Sequence, residues 1–227
     1  MRLKYILVTM TCLFITISSI SVKAQTTTDV VDTISTSLQN LRSLPTVISN
    51  ISTPQIEDPE WLLAITVVTY DVMTKGSITA DFAEFKYQAN QTLNDSRGWA
   101  GLGVKFQEVA NGGSFTLVLS EASQVPSFAP TVCSDYWSCQ VGRYVIINQD
   151  RWLGASDAWN QANGALRDYR NMVVTHETGH WLGHGHLSCG GTGQLAPIMQ
   201  QQSISLQGCN FNPWPLDSEL WSSRLGI

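Results

Sequence analysis

Hydrophobic positions change their period several times along the second two-thirds of the chain, and each change predicts an element. Residues 62–70 form an almost unbroken apolar and β-branched run, the pattern of a strand buried on both faces. Over residues 78–93 the period lengthens. Phe82, Phe85 and Ala89 recur at helical spacing and predict a helix. Residues 103–109 and 114–119 read as further strands, and residues 143–148, with Tyr144, Val145, Ile146 and Ile147 in succession, as a central strand. A second long helix is expected over 165–182, where Tyr169, Met172 and Val173 continue one face. A last helix is expected over 216–224. This order of strands and helices predicts an α/β (α+β) domain, a mixed twisted sheet backed by two helices.

The first third of the chain is organised differently. Arg2 and Lys4 precede an apolar run from Tyr5 to about Ile20, and Val22-Lys23-Ala24 places small residues where a signal peptidase reads. Residues 1–24 are therefore expected to be a signal peptide cleaved before Gln25; the run is short for a bilayer span and carries several Ser and Thr residues. Residues 25–58 are polar, with Pro45 and Pro54, and read as a linker or short pro-segment with a helix near 30–41. The remaining 59–227 form the expected single domain, beginning near Trp61. A net charge of −5 among 227 residues offers no basic patch of the kind that nucleic-acid binding requires.

Export changes how the cysteines are read. Cys12 falls in the signal sequence, leaving Cys133, Cys139, Cys189 and Cys209, an even number that predicts disulfides. Three pairings are possible. The two local ones, Cys133–Cys139 and Cys189–Cys209, are preferred, and zinc ligation by these cysteines lacks CxxC spacing.

All four histidines of the chain lie between His176 and His186. On a helix His176 and His180 stand one turn apart on the same face, so both imidazoles can reach one metal ion. Glu177 lies beside that face, where a carboxylate can act as general base without taking a coordination position. Gly183 suits a helix C-cap, and the turn it allows brings His186 back as a third ligand. Three protein ligands with an open fourth position distinguish a catalytic Zn²⁺ site from a structural one. His184, one residue past the glycine, reads as an exposed turn residue, the alternatives being a residue facing the substrate or supporting a ligand. A distant acid such as Glu219 is the alternative third ligand.

His176-Glu177-x-x-His180-x-x-Gly183-x-x-His186 resembles the metzincin zinc peptidases, whose signature is HExxHxxGxxH followed by a methionine turn. Ala196-Pro197-Ile198-Met199 looks like that turn, which implies that Met199 forms an apolar floor under the ligands. The chain is also similar to a group of secreted bacterial metzincin-like proteins of unknown function. That likeness rests on Cys189, the Met199–Gln202 run, Gly208-Cys209 and Asn212-Pro213-Trp214-Pro215, and spans about residues 60–227. The chain departs from some metzincins in having Gln201 where a tyrosine follows the methionine. Gln200 to Gln202 remain as candidate oxyanion donors, with solvation of a polar tract the preferred role.

The resemblance implies a zincin-like fold and a zinc endopeptidase acting on peptide or protein substrates; the N-terminal signal places it outside the cell or in the cell envelope, and a monomer is expected. Residues 115–119 are the expected edge strand for pairing with substrate. A latency segment before the domain could not use a thiolate, because residues 25–58 lack cysteine; Asp29 and Asp32 are the acids available there. Trp137, Trp152, Trp181 and Trp214 are expected to pack rather than line a pocket. Two other readings share the zinc site: an exported binding or adhesion module without turnover, and an amidase acting on cell-wall peptides.

Overall fold

A computed structural model describes residues 66–227. The expected signal sequence, the polar segment 25–58 and the first residues of the 62–70 strand lie outside the described residues. The sheet has five strands: β1 (Thr66–Lys75), β2 (Val104–Glu108), β3 (Phe115–Ser120), β4 (Cys139–Val141) and β5 (Tyr144–Asn148). Their order is β2-β1-β3-β5-β4. All neighbours are parallel except β4, which runs antiparallel to β5 at the edge. The helices are α1 (Phe82–Leu93), α2 (Gln149–Gly154), α3 (Asp157–Gln161) and α4 (Leu166–Leu182). The mixed α/β architecture expected from the sequence is the one formed.

β3 and β5 read as continuous apolar runs because both faces of the sheet are covered. Phe115, Leu117 and Leu119 of β3, with Val145 and Ile147 of β5, face the main core with α1 and α4. Val118 and Ile146 point the other way, against Val125, Cys133 and Cys139. This placement corrects the expected substrate edge. β3 is the middle strand, paired on both sides, so residues 115–119 have no free edge; among the described residues the edge strands are β2 and β4.

Helix α1 starts at Phe82 rather than 78, because the Asp81 side chain accepts from the amides of Ala83 and Glu84 and caps the helix there. Its inner face, with Phe85 and Ala89 fully buried, packs beside α4. Trp181 of α4 lies against Phe115, ring centroids 4.9 Å apart, and Phe85 meets Trp152 edge-on at 4.8 Å. These two tryptophans are packing residues, as expected. Trp214, partly buried, carries the Arg97 guanidinium 4.5 Å above its ring.

No helix forms over 216–224; only a single 3-10 turn, Asp217–Glu219, is present. The Glu219 carboxylate accepts from Leu216 N of its own turn, and the chain then folds back, with Arg224 N donating to Leu182 O and Ser222 N bonded to Ile227 O. Tertiary partners take the backbone groups that a helix would have used. Disulfides join Cys133 to Cys139 and Cys189 to Cys209, the two local pairings. No helix among the described residues is long and apolar enough to cross a membrane.

Candidate metal centre

Helix α4 carries His176 and His180 one turn apart, with ring centroids separated by 4.8 Å. The helix ends in a Schellman motif. Gly183 adopts φ 109°, its amide donates to His180 O, and His184 N donates to Gly179 O. That reversal returns His186 to within 5.4 Å of the His176 ring and 4.6 Å of the His180 ring. One nitrogen from each of the three histidines lies within 4.8 Å of the others.

The outer nitrogens of two rings are held by carbonyls. His176 Nδ1 is 2.8 Å from Ile198 O, and His180 Nδ1 is 2.9 Å from His184 O. A carbonyl only accepts, so each Nδ1 carries the proton and each Nε2 keeps its lone pair for the site. His180 Nε2 and His186 Nε2 lie 3.0 Å apart. Two nitrogens on one tetrahedral zinc, each bonded at about 2.0–2.1 Å, would be about 3.3 Å apart. Burial lowers the pKa of His176 to about 3, with the neighbouring His180 adding to the effect. His180 and His186 are lowered as well, chiefly by burial. Three uncharged imidazoles, two of them with backbone-fixed tautomers, are the donor set that zinc takes, so the residues fit the ion.

Glu177 is buried beside this cluster, and burial alone pushes its carboxyl up to about 8. It lines a cleft of about 360 Å³ together with the three histidines. One wall comes from the segment Val132–Gln140, closed by the Cys133–Cys139 disulfide, and the other from Gln201–Ile204. Met172, Val173, Val132, Trp137 and Ile204 make much of the lining apolar, and Glu177 is its one acidic residue. Trp137 therefore departs from the packing role expected of it. The loop holding it is fixed from below, where the Arg151 guanidinium lies 4.5 Å from the Tyr136 ring and Asn148 Nδ2 donates to Asp135 O.

Met199 is fully buried against α4, at a position where a Cβ on Gly179 would collide with its Sδ. The three glutamines that follow do not form a solvated tract. Gln200 and Gln202 have no exposed surface, and Gln202 spends its amide on Pro197 O, Asn212 O and Asn212 N. Gln201 alone is exposed, at the rim of the cleft. His184 is also corrected. It is buried, stacked on Trp99 at 4.8 Å with the Trp221 ring tilted against it at 3.9 Å, and its Nε2 donates to Trp221 O.

Glu219, weighed from the sequence only as an alternative ligand, lies outside the histidine cluster and accepts hydrogen bonds from Ile198 N and Met199 N. Nothing in its sequence neighbourhood signals that role. Tyr169, seven residues before His176 on α4, is fully buried, with its hydroxyl 2.9 Å from Ser203 Oγ. It tethers the Gln201–Ile204 wall to the helix.

Among solved structures the chain is similar to archaemetzincin from Methanopyrus kandleri, with 14% identity and a TM-score of 0.41, covering 67% of this chain and 91% of that one. No curated protein matches it. Residues 63–220 match the family described as "Protein of unknown function (DUF3152)", and the chain belongs to that family.

Proposed function

We propose that this protein is an exported zinc-dependent endopeptidase. The observation that carries the reading is the convergence of three uncharged imidazoles on one point with a buried Glu177 carboxylate, in a cleft closed on two sides. A structural zinc site has no use for such a carboxylate beside an open position, which argues against a binding module without turnover.

His176, His180 and His186 would hold the ion, the first two through Nε2. Zinc bound there would supply Lewis acidity toward the scissile carbonyl. Glu177 accepts a proton from the attacking water on a carboxylate oxygen and passes it to the departing amine nitrogen. Burial raises its proton affinity in the metal-free chain, and the positive charge of an ion held by the histidines would favour the ionised form that accepts the proton. β4, at the edge of the described sheet, contributes Cys139 and Gln140 to the cleft lining, which suits pairing with an extended peptide. Met172, Val173, Trp137, Val132 and Ile204 form an apolar surface, so we assign a preference for uncharged, bulky side chains next to the cleaved bond.

Both disulfides support an oxidising compartment, in keeping with residues 1–24 as an export signal. We read 25–58 as a linker or pro-segment, 59–227 as the peptidase domain, and the protein as a monomer.

The test is cleavage of a mixed peptide and protein library by the zinc-loaded chain and by Glu177→Ala. Cleavage by the native protein and a fall of at least about 100-fold in the variant is expected. Equal cleavage by both would refute the role of Glu177, and zinc binding without cleavage by either would refute the enzyme.

A further inference from the structure

Glu219 is 1% exposed, and among the described residues no Lys, Arg or His forms an ion pair with it. A buried carboxylate without a counter-ion persists only where hydrogen bonds replace its lost hydration. Here three backbone amides do so. Glu219 Oε1 accepts from Met199 N at 2.9 Å, and Oε2 accepts from both Ile198 N and Leu216 N at 2.9 Å. Two of these donors are consecutive amides of the turn beneath α4. By spanning them, the carboxylate fixes the backbone around Ile198, whose carbonyl holds His176 Nδ1.

A second connection leaves the same segment of chain. Trp221 O accepts from His184 Nε2 at 2.8 Å, and the His184 carbonyl holds His180 Nδ1. Ser222 Oγ and Arg224 N both bond to Leu182 O, tying the end of the chain to the end of α4. The backbone carbonyls that orient His176 and His180 thus belong to residues that are each held by a hydrogen bond from the segment 219–221.

We infer that the C-terminal turn is a brace for the metal centre, in which Glu219 is the positioning residue for His176 and His184, held by Trp221 O, is the positioning residue for His180. Neither residue touches the ion or the substrate. Each acts through a carbonyl that fixes an imidazole; loss of the bond to such a carbonyl lowers metal affinity by about 10–100-fold, which sets the upper bound for loosening it. The inference rests on the proposed zinc site but does not require that the site be catalytic.

The full chain is compared with Glu219→Gln, His184→Phe and the double variant, with Asp217→Asn as a control that removes an exposed acid from the same turn. The Glu219→Gln substitution turns an NH₂ group toward one of the backbone amides, and His184→Phe keeps the aromatic stack but removes the donor. Zinc affinity is measured by competition with a chromogenic chelator, the visible absorption of the Co²⁺-loaded protein reports ligand geometry, and thermal melting follows the metal-free chain. Expected are about 10-fold weaker zinc binding, the low end of that range, and an altered cobalt spectrum in each single variant, with the control unchanged.

A variant that melts lower but binds zinc with native affinity overturns the brace, since a merely structural residue would behave that way. If Glu219→Gln does not fold, His184→Phe decides, because it leaves Glu219 intact, and native affinity there overturns the inference. A native chain that binds no zinc overturns the metal reading and the brace with it. Native binding with undiminished variants overturns the brace alone.

Discussion

Gly179 and Met199 touch where no larger side chain than hydrogen fits between them: a Cβ at position 179 would meet both Met199 Sδ and the Trp99 ring. The glycine sits one residue before His180, so the close approach of Met199 to α4 is built into the helix that carries the histidine cluster. Helix propensity alone favours alanine there by about 1 kcal/mol. Packing decides the other way.

Gly179→Ala is therefore expected to destabilise the protein despite the better helix former, by about 1–3 kcal/mol from overpacking. A denaturant titration of the metal-free chain checks this. A midpoint at or above that of the native protein would mean that Met199 can move aside freely.

Acid should withdraw the contribution of His176 to the metal-free fold, while Glu177, raised to about 8, acts in the opposite sense between about pH 8 and 4.5 and is common to the native chain and His176→Asn. His176 has a folded pKa of about 3 against an ordinary 6.5, so between those values the unfolded chain binds the additional proton. The stabilisation is fully present above about pH 6.5 and is lost as pH falls toward 3. The contribution is on the order of a few kcal/mol. Denaturant midpoints at a series of pH values from 7 to 4, for the native chain and His176→Asn, should show a steeper decline in the native protein. Parallel profiles would contradict it.

Removing the Cys189–Cys209 disulfide, whose loop contains Met199, should cost both stability and zinc affinity. Cys189 and Cys209 are 20 residues apart, and closing a loop of that size contributes about 3 kcal/mol. The paired substitution Cys189→Ser/Cys209→Ser should lower the melting temperature and weaken zinc binding, because Met199 and the Ile198 carbonyl lie inside the loop. Retention of native zinc affinity would show that the Glu219 contacts alone hold the turn.

Trp137 should govern substrate choice without governing the chemistry. Trp137→Ala removes an apolar surface from the cleft wall while leaving the histidines and Glu177 in place. A rise of about 10-fold in KM for peptides with bulky apolar side chains, with kcat little changed, is the expected result, in line with about 1–3 kcal/mol for a pocket contact. A loss confined to kcat would place Trp137 in the reaction itself.

The positions of the elements were largely readable, because buried strands and a long helix impose different periods on apolar residues. β3 and β5 appeared as continuous runs, and Gly183 marked the end of α4 where a left-handed residue is needed. The last segment misled. Its composition permits a helix over 216–224, but Glu219, Ser222 and Arg224 bond to distant backbone instead. His184 misled for a related reason: a histidine past a glycine turn is ordinarily exposed, and here Trp99 and Trp221, far apart in the chain, close over it.

By itself the sequence determined which imidazoles share a helical face, where the chain must turn to add a third, and which carboxylate stands beside them, since all of these follow from spacing within a single helix and its cap. Tertiary structure alone decided which strands lie at the sheet edge, which tryptophan faces the cleft and what holds the ligand rings. Those properties depend on contacts between segments tens of residues apart, where a residue's role is set by its partner and leaves no periodicity along the chain.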